Sequence, residues 1–235
     1  MEKRYFHSTI LNKAFEYHVV APDHPITEGN ILYVQDGNDY LELGKFLEAF
    51  HGLKSKGLVP NDNWIIVFIH PGTSEERWHS YNRKGSYFHS YIQMMHTEFI
   101  PFVEKELSVR NVIKRGLLGD SLAANISLNI AAKQPSMWTH LLLQSAAISQ
   151  QDLDEIYNMD QPLHWKVYQT VGIYEDEFVS PITNERLYIY TRNRELAEVF
   201  RKKGASVQLT EFEEHHLWVV WERDLPNALK FLFHS

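Results

Sequence analysis

The sequence predicts an α/β fold with a mostly parallel central sheet and helices on both of its faces. Short β-branched and aliphatic runs alternate along the chain with longer segments whose apolar residues recur at every third or fourth position. The chain has 235 residues and no Pro/Gly/Ser-rich or low-complexity stretch that could serve as a linker. We therefore expect one domain over residues 1–235, large enough to bury a substantial core.

Each element of this fold has its own signal in the sequence. Short apolar runs predict strands at 15–20, 31–35, 64–69, 116–118, 140–143, 166–171 and 206–212. The spacing of apolar residues predicts helices at 40–56, 88–107, 122–133, 194–203 and 225–233. Gly204 stands where the fourth helix should end, because glycine readily adopts the backbone conformation found just after a helix.

The composition argues against several classes of function. A formal net charge of −7 does not favour a general nucleic-acid surface, which needs clustered Lys and Arg. Apolar runs such as 64–69 are far too short to cross a bilayer, and the first residues lack the apolar stretch of a signal peptide. The absence of cysteine removes disulfides, thiolate metal ligands and cysteine nucleophiles, and it fits a cytoplasmic protein.

The segment Gly119-Asp120-Ser121-Leu122-Ala123 is typical of a nucleophile elbow. In such an elbow a serine lies on a sharp turn between a strand and a helix, so the residues two before and two after it must be small. Gly119 and Ala123 meet this requirement, although glycine is more usual at the second position. An ordinary strand-Ser-helix junction is the alternative, and the rest of the chain decides between them.

Residues that follow the predicted strands supply the partners that a serine nucleophile needs. The carboxyl ends of parallel strands meet at one edge of a sheet, where ligands gather. Ser121, the acidic pair Glu175 and Asp176, and the histidine pair His215 and His216 follow three of these strands in the order of an α/β-hydrolase triad. A histidine would accept the serine proton and a carboxylate would orient that histidine. His216 is favoured as the base. Either Glu175 or Asp176 could be the third member of the triad.

An oxyanion hole requires two backbone N–H groups directed at the reacting carbonyl oxygen. Leu122 directly follows the predicted nucleophile at a helix start, so its amide is one candidate. Asn38 is the second candidate, because Gly37 allows the chain after the strand at 31–35 to turn. A plain Asp-Gly-Asn turn is the alternative interpretation of this segment.

Two further clusters of residues have compositions that could serve in binding. Glu213, Glu214, His215 and His216 could bind a divalent ion, but the cluster lacks a helical i, i+4 histidine pair and a third distant ligand, so no metal is predicted. Aromatic residues crowd the segment after His70 and could form an acyl- or aryl-binding wall. The predicted substrate contacts are Arg77, Trp78, Tyr81, Asp120 and Trp218, with an internal carboxylate as the alternative partner of Arg77.

Taken together, these motifs resemble the esterase family that contains esterase D, enterochelin esterases and feruloyl esterases, especially its short bacterial members. The similar segments cover most of the chain: 34–40, Arg77 and Tyr81 ahead of 98–101, 119–123, 171–175, 193–196, and 216–221 with the Leu-Pro pair at 225–226. Two departures are Glu214-His215, where relatives often carry Gly-Gly or Gly-Asp, and Asn82, where proline is frequent.

The resemblance implies an α/β-hydrolase fold, no cofactor, Ser121 as nucleophile, His216 as base and Glu175 as acid. It also implies that the amides of Asn38 and Leu122 form the oxyanion hole. The predicted function is hydrolysis of a small-molecule ester, siderophore-lactone-like or a simple acyl or aryl ester, by a monomer or homodimer, with acyl transfer as a close variant. The alternative is a catalytically silent scaffold of the same fold that binds a ligand or a protein.

Overall fold

The computed structural model describes residues 1–24, 26–60 and 63–235, and these residues form one eight-stranded sheet flanked by helices. The strands are β1 (Glu2–Ser8), β2 (Lys13–Val20), β3 (Glu28–Val34), β4 (Trp64–Ile69), β5 (Asn111–Asp120), β6 (His140–Gln144), β7 (Lys166–Gly172) and β8 (Ser206–Phe212). The helices are α1 (Gly37–Glu42), α2 (Phe46–Ser55), α3 (Ser74–Tyr81), α4 (Phe88–Met94), α5 (Ile100–Glu106), α6 (Ser121–Lys133), α7 (Gln150–Tyr157), α8 (Ile189–Lys202) and α9 (Trp218–His234).

The strand order is β1-β2-β4-β3-β5-β6-β7-β8. Strand β2 pairs antiparallel with β1 and with β4, and every other neighbouring pair is parallel. The predicted fold class, a mostly parallel sheet with helices on both faces, is therefore confirmed. One apolar cluster packs α4 and α6 on one face, and a second packs α2 and α9 on the other. None of the described helices is long and apolar enough to cross a membrane.

All seven predicted strands are present, and β1 is an eighth that the sequence analysis missed. It lies at the sheet edge, and its residues are mostly exposed, so it lacks the apolar run that marks a buried strand. Strand β5 begins at Asn111 rather than at 116, because its polar first half finds specific partners. Arg115 pairs there with Glu104 at 2.9 Å, and Lys114 donates to backbone carbonyls at the end of α9.

The helices depart from the predictions where local backbone chemistry intervenes. The helix predicted at 40–56 is two helices, α1 and α2, because Lys45 adopts a left-handed conformation between them. The helix predicted at 88–107 is continuous from α4 to α5 through a π-helical turn at Met95–Phe99. This turn lies just before Pro101, which has no N–H for the regular i to i−4 hydrogen bond.

Two helices, α3 and α7, were not predicted, and each begins with a reciprocal capping box. The Thr73 side chain accepts from the Glu76 amide while the Glu76 carboxylate accepts from the Thr73 amide. Ser149 and Asp152 make the same exchange at α7. Both helices are short, so their apolar periodicity spans only two turns, and the caps were the available signal. Helices α8 and α9 also begin earlier than predicted, at Ile189 and Trp218.

Candidate active site

Ser121 lies at the junction where β5 ends and α6 begins, in the strained backbone conformation of a nucleophile elbow. Its φ angle is +44°, a left-handed conformation that a non-glycine residue adopts only when the surrounding structure enforces it. A Cβ atom on Gly119 would lie 2.4 Å from the carbonyl carbon and oxygen of Ala123. Glycine is therefore required at position 119, and its missing side chain makes room for the backbone of Ala123.

His216 lies in the loop between β8 and α9 and contacts both other predicted triad residues. Its Nε2 atom lies 2.8 Å from the Ser121 Oγ, and its Nδ1 atom lies 2.8 Å from the Glu175 Oε2. In the tautomer with hydrogen on Nδ1, His216 donates to Glu175 and accepts from Ser121. The structure thus places a serine, a histidine and a carboxylate in one hydrogen-bonded chain.

Glu175 is fully buried, and its second carboxylate oxygen is also bound. The Gly172 amide and the Ser145 hydroxyl both donate to Oε1, each at 2.8 Å. These contacts fix the rotation of the carboxylate, so that Oε2 is directed at the imidazole. Asp176, the alternative acid, instead accepts from the amide and hydroxyl of Thr191 at the start of α8.

Three of the four side chains of the 213–216 cluster have separate partners. Glu214 pairs with Arg223 at 2.7 Å, and the His215 ring packs against Tyr174 with centroids 5.1 Å apart. His216 is held by Ser121 and Glu175. These contacts do not bring the cluster together as a metal site.

Two aromatic rings pack against the His216 imidazole. Phe178 lies 4.3 Å away between ring centroids, and Trp221 lies 4.8 Å away in an edge-on arrangement. The Trp221 indole N–H also donates to the Ser145 hydroxyl at 2.9 Å. Ser145 thus links an aromatic neighbour of the histidine to the carboxylate that orients it.

Ser145, Phe178 and Trp221 also belong to this site, and none of them was predicted from the sequence. Ser145 directly follows β6, so its place at the carboxyl end of a strand was the signal that could have identified it. Phe178 had no such signal, since it lies in irregular chain after a short helical turn. Trp221 lies one turn into α9 and reads as an ordinary apolar position.

The chain after β3 leads directly into α1, whose first turn carries Asn38. The Gln35 amide donates to the Leu118 carbonyl at 2.9 Å, which joins the ends of β3 and β5. The expectation that Gly37 lets the chain turn was wrong, because the residue with a left-handed backbone conformation is Asp36, at φ +54°. Glycine is needed at 37 because a Cβ there would lie 2.6 Å from the backbone of Phe68 in β4.

Arg77 is bound by a carboxylate of the protein, which was the alternative left open for it. Its Nε donates to both oxygens of Asp36, at 2.9 and 2.7 Å, and Asp36 is only 1% exposed. Asp120 is also buried, and both its burial and the nearby Asp36 raise its pKa well above the ordinary value. Arg77 is thus the counter-charge of Asp36, which lies near the buried Asp120.

The other predicted substrate contacts occupy different environments. Tyr81 is fully buried and its hydroxyl donates to Gln35 at 2.9 Å, so it is a core residue and not part of an open wall; Asp120 is buried likewise. Trp218 lies at the start of α9, with its ring 5.1 Å from that of Trp221, and is therefore next to the histidine. Trp78 is half-buried on α3 and packs against the main core cluster.

The amino-acid sequence matches known proteins over nearly its whole length. The family model described as "Putative esterase" matches residues 8–232. An uncharacterized protein of Bacillus subtilis (strain 168), YjcH, is 29% identical over 233 residues, which cover 97% of this chain and 95% of that protein.

Similar solved structures share the fold at low sequence identity. The BES protein from Bacillus cereus has a TM-score of 0.77 and 21% identity, covering 100% of this chain and 95% of that one. The enterobactin esterase FES from Shigella flexneri, in the presence of enterobactin, has a TM-score of 0.79 and 14% identity, covering 98% of this chain. This chain spans only 58% of the length of that esterase. By its match to the family model, the chain belongs to the Putative esterase family of carboxylic ester hydrolases.

Proposed function

We propose that this protein hydrolyses a small-molecule ester through an acyl-enzyme intermediate, with Ser121, His216 and Glu175 as its catalytic triad. The observation that carries the proposal is the chain of two 2.8 Å contacts, from Ser121 through His216 to Glu175. A serine hydroxyl is a weak nucleophile at neutral pH unless an adjacent base accepts its proton. His216 is placed to be that base, and the buried Glu175 stabilises the imidazolium that forms.

In the first half-reaction, the Ser121 Oγ attacks the ester carbonyl and its proton passes to the His216 Nε2. The tetrahedral intermediate collapses when the same nitrogen gives the proton to the departing alcohol oxygen, and the acyl group stays on Ser121. A water molecule then attacks the acyl carbonyl and gives its proton to His216. The Ser121–acyl bond breaks, the proton returns to the Ser121 oxygen, and the carboxylic acid product leaves.

The negative charge of each tetrahedral intermediate needs two fixed N–H donors. We assign these to the backbone amides of Leu122, in the first turn of α6, and Asn38, in the first turn of α1. Loss of one such donor typically raises the activation barrier by about 3 to 4 kcal/mol. Because both donors belong to the backbone, substitution of either side chain alone does not remove them.

The surroundings of His216 favour an uncharged acyl or aryl ester. Leu217 and Val219, just beyond the histidine, are 50% and 58% exposed, and the Phe178 ring lies against the imidazole. Apolar surface of this kind stabilises an apolar substituent by removing it from water. Two arginines that contact the surrounding segments are already engaged, since Arg77 pairs with Asp36 and Arg223 with Glu214.

Some relatives are named for larger substrates, and this chain is related to them in fold. Solved structures with the same fold include enterobactin esterase, ferulic acid esterase and a siderophore hydrolase. Among these, the ferulic acid esterase is named for an acid that carries an aromatic ring, and an aromatic acyl group agrees best with the apolar surface beside His216. A cytoplasmic location, a monomeric or homodimeric state and the absence of a cofactor stay predictions.

The test is hydrolysis of p-nitrophenyl acetate and butyrate by purified protein, together with labelling by a fluorophosphonate probe. We expect wild-type protein to release p-nitrophenol and to be labelled, and Ser121→Ala to do neither. Ser55→Ala, an exposed serine on α2, is the matched control and should behave as wild type. A folded wild-type protein that neither turns over these esters nor reacts with the probe would favour the catalytically silent scaffold.

The preference for an uncharged ester has its own comparison. A p-nitrophenyl ester with a carboxylate at the far end of its acyl chain has the same leaving group as the butyrate but adds a negative charge, and its faster spontaneous hydrolysis is subtracted from the enzymatic rate. We expect a lower kcat/KM for this anionic ester than for the butyrate. A higher value would contradict the assignment of an uncharged substrate while leaving the triad intact.

A further inference from the structure

Glu16, His18 and His70 form a cluster of metal-binding side chains on the antiparallel side of the sheet. Their ligand atoms all lie within 4.8 Å of one another. The cluster is built from β2 and from the residue after β4, and β3 separates these strands from β5, which carries the nucleophile. It is therefore distinct from the candidate active site, and the proposed mechanism does not use it.

The backbone explains why these three side chains meet. Glu16 and His18 are two residues apart on β2, so their side chains leave the same face of the sheet. Strand β2 pairs antiparallel with β4, with His18 opposite Phe68, and the His70 amide donates to the Glu16 carbonyl at 3.1 Å. Paired strands hold a cluster of this kind more rigidly than loops do.

We propose that Glu16, His18 and His70 bind a divalent transition-metal ion, with Zn²⁺ as the best match, and that water completes the coordination. Two imidazole nitrogens and one carboxylate oxygen are the ligands that zinc sites use when one position stays open to solvent. Calcium and magnesium are disfavoured because they prefer oxygen ligands alone.

The distances between the ligands require only a small adjustment. The His18 Nδ1 and the His70 Nε2 face each other at 2.7 Å and share a hydrogen bond. Zn–N bonds of about 2.0 to 2.1 Å at a tetrahedral angle place two nitrogens about 3.3 Å apart. The hydrogen between the rings would move to the other nitrogen of its ring. His70 is only 4% exposed, whereas His18 is partly exposed and can rotate outward to admit the ion.

The charges around the cluster set how tightly an ion would bind. Lys3, on β1, pairs with Glu16 at 2.7 Å and is half-exposed. Its ammonium group competes with a metal ion for the carboxylate, so removing that charge should tighten metal binding.

The test is titration of chelator-treated protein with Zn²⁺ by calorimetry, with Co²⁺ as a spectroscopic probe of the coordination geometry. We expect one Zn²⁺ per chain and a visible absorption band typical of four-coordinate Co²⁺. His18→Gln should weaken Zn²⁺ binding by about tenfold or more. Lys3→Gln should tighten it, and His7→Gln, which changes an exposed histidine on the edge strand, is the matched control.

Two results would overturn the proposal. One is the absence of stoichiometric Zn²⁺ binding by wild-type protein, and the other is unchanged affinity in His18→Gln, which would place the ion elsewhere. Thermal unfolding gives a second measure, because an ion that binds only the folded state raises Tm. Ester hydrolysis should not change with metal or chelator, so failure of this proposal and failure of the proposed triad are distinguishable.

Discussion

The guanidinium of Arg77 binds both carboxylate oxygens of Asp36, with the Nε atom 2.7 Å from Oδ2 and 2.9 Å from Oδ1. This contact joins α3 to the residue that directly precedes α1. Asp36 has a left-handed backbone conformation, and Gly37 after it lies against the backbone of β4. The pair therefore fixes the conformation of the chain at the start of α1, whose first turn carries Asn38.

We expect Arg77→Met to lower both stability and kcat. Breaking a buried ion pair from one side leaves the Asp36 carboxylate unpaired beside Asp120, which costs about 3 kcal/mol or more. Urea unfolding measures the loss of stability, and steady-state kinetics should show a fall in kcat with little change in KM. The double variant Arg77→Met/Asp36→Asn should recover part of the stability. A rise in KM confined to anionic esters would instead assign Arg77 to the substrate.

Glu175→Gln should reduce kcat/KM by about 10³- to 10⁴-fold without unfolding the protein. Glutamine has the shape of glutamate but cannot stabilise the imidazolium by charge, and its amide can direct an N–H at the His216 Nδ1. The matched variant is Asp176→Asn, which alters a neighbouring acid that contacts Thr191. Its kcat/KM should stay within about twofold of wild type. Equal losses in the two variants would contradict the assignment of Glu175.

Ser145→Ala should lower kcat by about tenfold, because Glu175 loses one hydrogen-bond donor and the Trp221 N–H loses its acceptor. Trp221→Phe removes only that N–H and retains an aromatic ring beside His216, so its effect should be smaller. In the double variant, the second change should add little, since the hydrogen bond is already broken. Full additivity in this cycle would show that Ser145 and Trp221 act separately.

His140 provides a pH-dependent prediction about stability. It is 2% exposed, and burial, together with the nearby Lys114 and Lys166, lowers its pKa from 6.5 to about 4. The unfolded chain therefore binds a proton at a higher pH than the folded chain does. The contribution of neutral His140 to stability is fully present above pH 6.5 and is lost as the pH falls towards about 4.

Between about pH 7 and about pH 4.5, this loss amounts to about 2.5 kcal/mol. His140→Gln cannot titrate, so its unfolding free energy should fall by that much less than the wild-type value over the same interval. Urea denaturation at the two pH values measures the difference. His89→Gln, at an exposed histidine of α4, should lose as much stability as wild type. The same loss in His140→Gln would show that another group dominates the acid response.

The strand ends were sufficient to predict Ser121, the acidic pair at 175–176 and the histidine pair at 215–216, and the resemblance to the esterase family favoured Glu175 over Asp176. The three side chains meet because parallel strands end at one edge of a sheet, which is a consequence of topology. The support provided by Ser145 and Phe178 could not be predicted in this way, because which side chain rotates towards a neighbour depends on packing.

The edge strand β1 and the partner of Arg77 are two further features that local sequence patterns could not predict. Strand β1 is polar on most of its length and is defined by its pairing with β2, which no local pattern encodes. The sequence allowed Arg77 two partners, a substrate group or a carboxylate of the protein. The structure shows the second, because Asp36 contacts Arg77 from a distant segment of the chain. Contacts between residues far apart in the chain determined what the local pattern left open.

Helix α9 begins two residues after His216 and is the last element of the chain. Its Asp224 accepts hydrogen bonds from Tyr168 in β7 and Gln144 in β6, so the helix is bound to two neighbouring strands of the sheet. The histidine loop, which follows β8, is therefore supported on its other side by α9. We expect a chain truncated before Trp218 to lose this support, and with it the 2.8 Å contact between His216 and Ser121.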